Sequence, residues 1–81
     1  MEIKVIGPGC YQCNELDKRV REVVGELGID ADIEYIHDLH KIIEYPVLAT
    51  PGLVVNGKVA CSGKVPSKSE IAGFITRARE S

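Results

Sequence analysis

Two cysteines, Cys10 and Cys13, enclose Tyr11-Gln12 between a short apolar run and a long amphipathic stretch. Glu2-Ile3-Lys4-Val5-Ile6 reads as a strand, Gly7-Pro8-Gly9 breaks it, and a helix is expected to begin at the cysteines. A thiol at a helix N-terminus faces unpaired backbone N–H groups and the positive end of the peptide dipoles. Both favour thiolate over thiol. The second sulfur follows one helical turn later, within reach of the first. Such a pair suits a reversible dithiol–disulfide couple, so the residues point to thiol–disulfide oxidoreduction.

The rest of the chain must hold that pair in place. With 81 residues, a single domain spanning 1–81 is expected, burying about 60% of its unfolded surface. A hydrophobic fraction of 44% with 27% charged residues is that of a soluble globular protein. A net charge of -2, with basic residues scattered among acids, argues against a nucleic-acid partner. No apolar run approaches membrane-spanning length and no secretory leader is read at Met1, so a cytoplasmic location is expected. In that reducing compartment, cysteines close in sequence are more often catalytic or metal-binding than structural.

A first helix is expected from about Tyr11 to Leu27, with Leu16, Val20, Val23, Val24 and Leu27 on one stripe and Gly28 as its stop. Ala31 to Ile36 follows as a strand parallel to the first, because a helix connects them. Asp38 can cap a short helix through about Glu44 with Leu39, Ile42 and Ile43 inward, ended by Tyr45-Pro46. Asn56-Gly57 supplies a type I′ turn between Leu53-Val54-Val55 and Lys58-Val59-Ala60-Cys61. Counted outward from that turn, Val55 pairs with Lys58 and Gly52 with Cys61. Ser67-Lys68-Ser69-Glu70 has capping-box spacing ahead of an Ile71, Phe74, Ile75, Ala78 stripe. The expected order is β-α-β-α-β-β-α, an α/β protein.

Taken with that order, Gly7-Pro8-Gly9-Cys10-Tyr11-Gln12-Cys13, Thr50-Pro51, Asn56-Gly57-Lys58, Gly63 and Pro66-Ser67 resemble the thioredoxin fold at its minimal size. Over essentially its whole length the chain looks most like the small archaeal and bacterial thioredoxin- and glutaredoxin-like redox-active disulfide proteins. The resemblance implies a four-stranded mixed sheet flanked by three helices. It also implies Cys10 as nucleophile, Cys13 as resolving thiol, and a cis Pro51 beside them. Tyr11, Gln12, Thr50 and Pro51 become the candidate substrate contacts. Implied partners are disulfide-containing proteins and a thioredoxin-reductase-like electron donor; a monomer without cofactor or bound metal is expected. Gly9 stands where thioredoxins carry tryptophan, and Ile3 to Gly9 contains no carboxylate to match their buried acid. The Cys61-Ser62-Gly63-Lys64 segment differs from the glycine-pair and acidic segment of glutaredoxins, which favours the reductase-linked reading over glutathione.

Two other classes stay open. One is a redox-sensing binding protein without turnover. The other is a zinc or iron–sulfur module drawing on Cys10, Cys13, Cys61 and either His37 or His40. Cys61 is expected two strands from Cys10, about 9–10 Å away laterally, as a packed and dispensable thiol. His37 and His40 are expected to be solvated loop residues without a catalytic part.

Overall fold

Strands and helices alternate as β1 (Glu2–Ile6), α1 (Tyr11–Leu27), β2 (Asp32–Ile36), α2 (Leu39–Ile42), β3 (Gly52–Val55), β4 (Lys58–Ser62) and α3 (Lys68–Glu80). The computed structural model describes residues 1–47 and 49–80. The strands form one sheet in the order β2-β1-β3-β4, with β1 parallel to β2 and antiparallel to β3, and β3 antiparallel to β4. This is the four-stranded mixed sheet with three helices expected from the order of elements. Among the described residues, no helix is long and apolar enough to cross a membrane.

Period-two alternation puts Ile3 and Val5 of β1 and Leu53 and Val55 of β3 on one sheet face. There they join Leu16, Val20 and Val23 of α1 and Ile71 and Ile75 of α3 in the main core. Full burial of each such aliphatic side chain contributes roughly 1.5–3 kcal/mol. Helix α1 stops where Gly28 takes a left-handed conformation and its N–H bonds back to Val24 and Gly25 carbonyls. Leu27, expected on the inward stripe, is 41% exposed. Helix α3 begins with the reciprocal capping box. Ser67 Oγ accepts from the Glu70 N–H at 3.1 Å, and Glu70 Oε1 accepts from the Ser67 N–H at 3.1 Å.

Two expectations are corrected. Leu39 and Ile43 do not point inward; they are 66% and 78% exposed. With four residues, α2 makes barely one turn, and Val47 after it packs against Gly52 of the sheet. A Cβ at Gly52 would stand 2.6 Å from Val47 Cγ1, so the missing side chain of Gly52 is what admits Val47. The second correction is the hairpin register. Asn56 and Gly57 both have positive φ, 50° and 83°, and Val55 pairs with Lys58. A bulge then intervenes, and Leu53 faces Cys61 while Gly52 faces Ser62. An uninterrupted ladder would have set Cys61 opposite Gly52 on the other face. The extra residue turns Cys61 onto the core face with Leu53.

Candidate active site

The turn between β1 and α1 is built to deliver two sulfurs to one point. The Gly7 N–H bonds to the Ile36 carbonyl at 3.0 Å, which extends the β1–β2 pairing past the strand ends. Gly9 has φ of 95°, a conformation that favours glycine, and swings the chain into the helix. Cys10 is the N-cap residue, with extended backbone, and its Sγ accepts the Cys13 N–H at 3.3 Å. Its carbonyl accepts the Asn14 N–H at 2.9 Å, the first bond of the helix. Thus a thiol does here what a serine or aspartate oxygen does at most N-caps.

One turn later Cys13 is fully buried, while Cys10 is exposed. The two sulfurs are 2.7 Å apart, and either can donate to the other. Their environments push the two thiols in opposite directions. The hydrogen bond from Cys13, and then the Cys13 backbone N–H, hold the Cys10 thiol below the ordinary range. Burial, and then the same bond to Cys10, push the Cys13 thiol up. One sulfur is therefore disposed to ionise and accessible; the other is protonated and shielded.

Pro51 forms another wall of the site. It is buried, its peptide bond to Thr50 is cis, and its Cα lies beside the same point near Gly7 that the Cys13 sulfur fills. Its carbonyl accepts the Gly63 N–H at 2.9 Å, which ties this turn to the end of β4. Tyr11 is 83% exposed, and Gln12 and Thr50 are also exposed, so all three face solvent at or near the rim. Cys61 is not part of the cluster. It is buried in the core, and its S–H is placed to donate to the Lys64 carbonyl at 3.9 Å. Among the described residues, no three His, Cys, Asp or Glu side chains are grouped so as to hold a metal ion. The nominal ligands Cys10, Cys13, Cys61 and His37 or His40 are thus not brought together.

Tyr35 and Asn14, near the start of α1, escaped sequence reasoning, and His37 was expected only as a solvated loop residue. Tyr35, paired in register with Val5, extends toward the N-terminus of α1, where its hydroxyl donates to Asn14 Oδ1 at 2.8 Å. Asn14 Nδ2 in turn donates to the Gly9 carbonyl at 3.3 Å. The His37 ring lies against Tyr35, with centroids 3.8 Å apart, and flanks Gly9. A tyrosine among the inward positions of a strand whose C-terminal end meets the cysteines was the available signal. Lys4, close in sequence to the place of the missing acid, is engaged on the other sheet face by Glu34 Oε1 at 2.9 Å.

Comparison with known proteins places these features in context. Residues 1–76 match the family model described as a thioredoxin domain. A protein named thioredoxin from Methanothermobacter thermautotrophicus is 46% identical over 76 residues, covering 94% of this chain and 99% of that protein. Two proteins of the same name from Methanocaldococcus jannaschii are 41% identical over 69 residues and 32% identical over 73. They align with 85% and 86% of this chain, and with 79% and 85% of their own lengths.

Proposed function

We propose that this chain, which belongs to the thioredoxin domain family, reduces disulfides by exchange through Cys10 and Cys13. The observation that carries the reading is the asymmetry of the pair: an exposed N-cap sulfur with its acidity raised, 2.7 Å from a buried one with its acidity lowered. In the first step the Cys10 thiolate attacks one sulfur of a substrate disulfide and displaces the other as a thiolate. In the second, Cys13 loses its proton to solvent and attacks the Cys10 sulfur of the mixed disulfide. The second substrate thiolate leaves, and a Cys10–Cys13 disulfide remains. Two electrons have passed from the protein to the substrate; the protons of Cys10 and Cys13 have gone to solvent, from which the substrate thiolates take up theirs.

Tyr11, Gln12, Thr50 and Pro51 are the surfaces we assign to the substrate, with the backbone at Thr50 offered to an extended chain. The reading treats residues 1–81 as one domain, acting as a monomer in a reducing, cytoplasmic compartment. A thioredoxin-reductase-like partner returns the disulfide to the dithiol. Replacing Cys13 with Ser should trap mixed disulfides through Cys10. Stable trapping through Cys13 in Cys10→Ser, and not the reverse, would overturn the roles. For the donor, insulin reduction should be sustained by a thioredoxin reductase; turnover with glutathione alone and none with any such reductase reverses that choice.

A further inference from the structure

Both peptide groups that flank the Cys10 Cα are held by one residue. The Asn14 N–H donates to the Cys10 carbonyl at 2.9 Å, as the helix itself requires. The Asn14 side chain adds a second bond, from Nδ2 to the Gly9 carbonyl at 3.3 Å. Its other polar atom is engaged as well, for Oδ1 accepts from the Tyr35 hydroxyl at 2.8 Å. These partners leave the amide one orientation. A carbonyl only accepts, so a flipped Asn14 would set oxygen against oxygen at Gly9.

The direction of the Cys10 side chain follows from the two dihedrals between those peptide groups, φ of -69° and ψ of 171°. Gly9, at φ of 95°, has the widest backbone freedom of any residue type, so the peptide that follows it needs an outside hold. In the held geometry the Cys10 sulfur accepts from the Cys13 N–H at 3.3 Å and stands 2.7 Å from the Cys13 sulfur. A loosened Gly9–Cys10 peptide would let it drift from both donors, the contacts that keep its thiol below the ordinary range. Tyr35 is suited to anchor the amide. Its strand position is fixed opposite Val5, and its ring stacks on His37, which flanks Gly9. Burial, ahead of neighbouring charges, pushes its phenol up to about 12, so it stays a donor wherever thiols titrate.

We propose that Asn14 is a positioning residue for the nucleophile, holding the peptides on either side of Cys10 while Tyr35 fixes its amide, so that the Cys10 sulfur stays at the N-cap. This rests on the disulfide-exchange reading above, and concerns its first step.

The test reads the Cys10 thiol in the full chain. Alkylation by iodoacetamide is followed against pH, with mass spectrometry locating the label on Cys10. In parallel, one equivalent of dithiobis(nitrobenzoate) is mixed with reduced protein by stopped flow. Attack by Cys10 releases the first coloured thiolate; attack by Cys13 on the mixed disulfide releases the second. Asn14→Ala removes the side-chain bonds, and alanine favours helix more than asparagine, so α1 is not weakened by the change. Its alkylation midpoint should rise by about half a pH unit, roughly a threefold loss of thiolate at neutral pH, as befits one exposed hydrogen bond. The first phase should slow by somewhat less, since a less acidic thiolate is intrinsically the better nucleophile. Tyr35→Phe keeps the ring on His37 and should move the midpoint the same way by a smaller step. The double variant should match Asn14→Ala alone, because Tyr35 acts through the Asn14 amide. Cys13, His37 and Asp17, the other ionisable groups around the loop, are the same in every variant. An unmoved midpoint in Asn14→Ala overturns the proposal, and so do shifts that simply add in the double variant. If the unmodified protein releases no thiolate through Cys10, the exchange reading has failed, and the alkylation midpoints still decide the role of Asn14.

Discussion

The Cys13 sulfur fills the space in which a side chain at Gly7 would begin. A Cβ at Gly7 would overlap Cys13 Sγ, lie 3.0 Å from Cys13 Cβ, and approach the Pro51 Cα. Strand end, helix start and proline turn thus converge on one point, and the absence of a side chain there leaves room for the sulfur. Gly7→Ala should displace Cys13 and destabilise the fold by roughly 1–3 kcal/mol, the usual cost of overpacking. Urea unfolding of the reduced protein measures the loss. The second phase of disulfide exchange should slow with it; an alanine variant with unchanged stability and rates would mean that the site gives way freely.

Alkylation of Cys10 reports its acidity directly. Because its acidity is raised chiefly by the Cys13 hydrogen bond, the pH midpoint of its reaction with iodoacetamide should lie below that of an ordinary cysteine. The thiolate fraction, and so the rate, falls only as pH drops through that lowered value. Cys13→Ala removes the donor and should move the midpoint up, while Cys13→Ser, which keeps an O–H, should move it less. Equal midpoints in all three proteins would show that the helix terminus alone sets the acidity.

Cys61 belongs to packing. Cys61→Ser should retain exchange rates and reduction potential below the melting transition. It should cost stability, about 1–3 kcal/mol for a hydroxyl placed in the apolar core with the Lys64 carbonyl 3.9 Å from the present sulfur. Loss of most activity in a variant that still melts cooperatively would bring the third thiol into the mechanism.

The start of α3 rests on its capping box. Ser67→Ala should cost about 0.5–2 kcal/mol in urea unfolding. Glu70 is held below the usual carboxylate range, first by the Ser67 backbone N–H and then by its side chain. A depressed carboxyl stabilises the fold above its unfolded pKa, and that contribution is lost as pH falls through the folded value. Glu70→Gln should therefore flatten part of the acid limb of stability against pH; an unaltered limb would show that the box contributes nothing there.

How much of this was legible in the sequence differs by element. Helix α1 runs from Tyr11 to Leu27, as periodicity and Gly28 indicated, because helix length and caps depend on neighbours within a turn or two. The Asn56-Gly57 turn and the Ser67–Glu70 box are local for the same reason. The exposure of Leu39 and Ile43 was not legible, because a one-turn helix has no periodicity to orient it. The bulge before Leu53 was equally hidden, since a ladder counted from its turn carries no mark of an extra residue.

By itself, then, the sequence determined the order of elements and the junction of strand and helix that carries Cys10 and Cys13. Those follow from propensity, capping and spacing, interactions that span a few residues. Only the tertiary structure decided which distant residues stand beside the sulfurs. Tyr35 reaches Asn14 because β2 pairs in parallel with β1 at the register that sets it opposite Val5. Cys61 is turned into the core by a bulge in the pairing of its own strand with β3. Register is set by how whole faces pack, and a shift of one residue would send either side chain to the opposite side of the sheet.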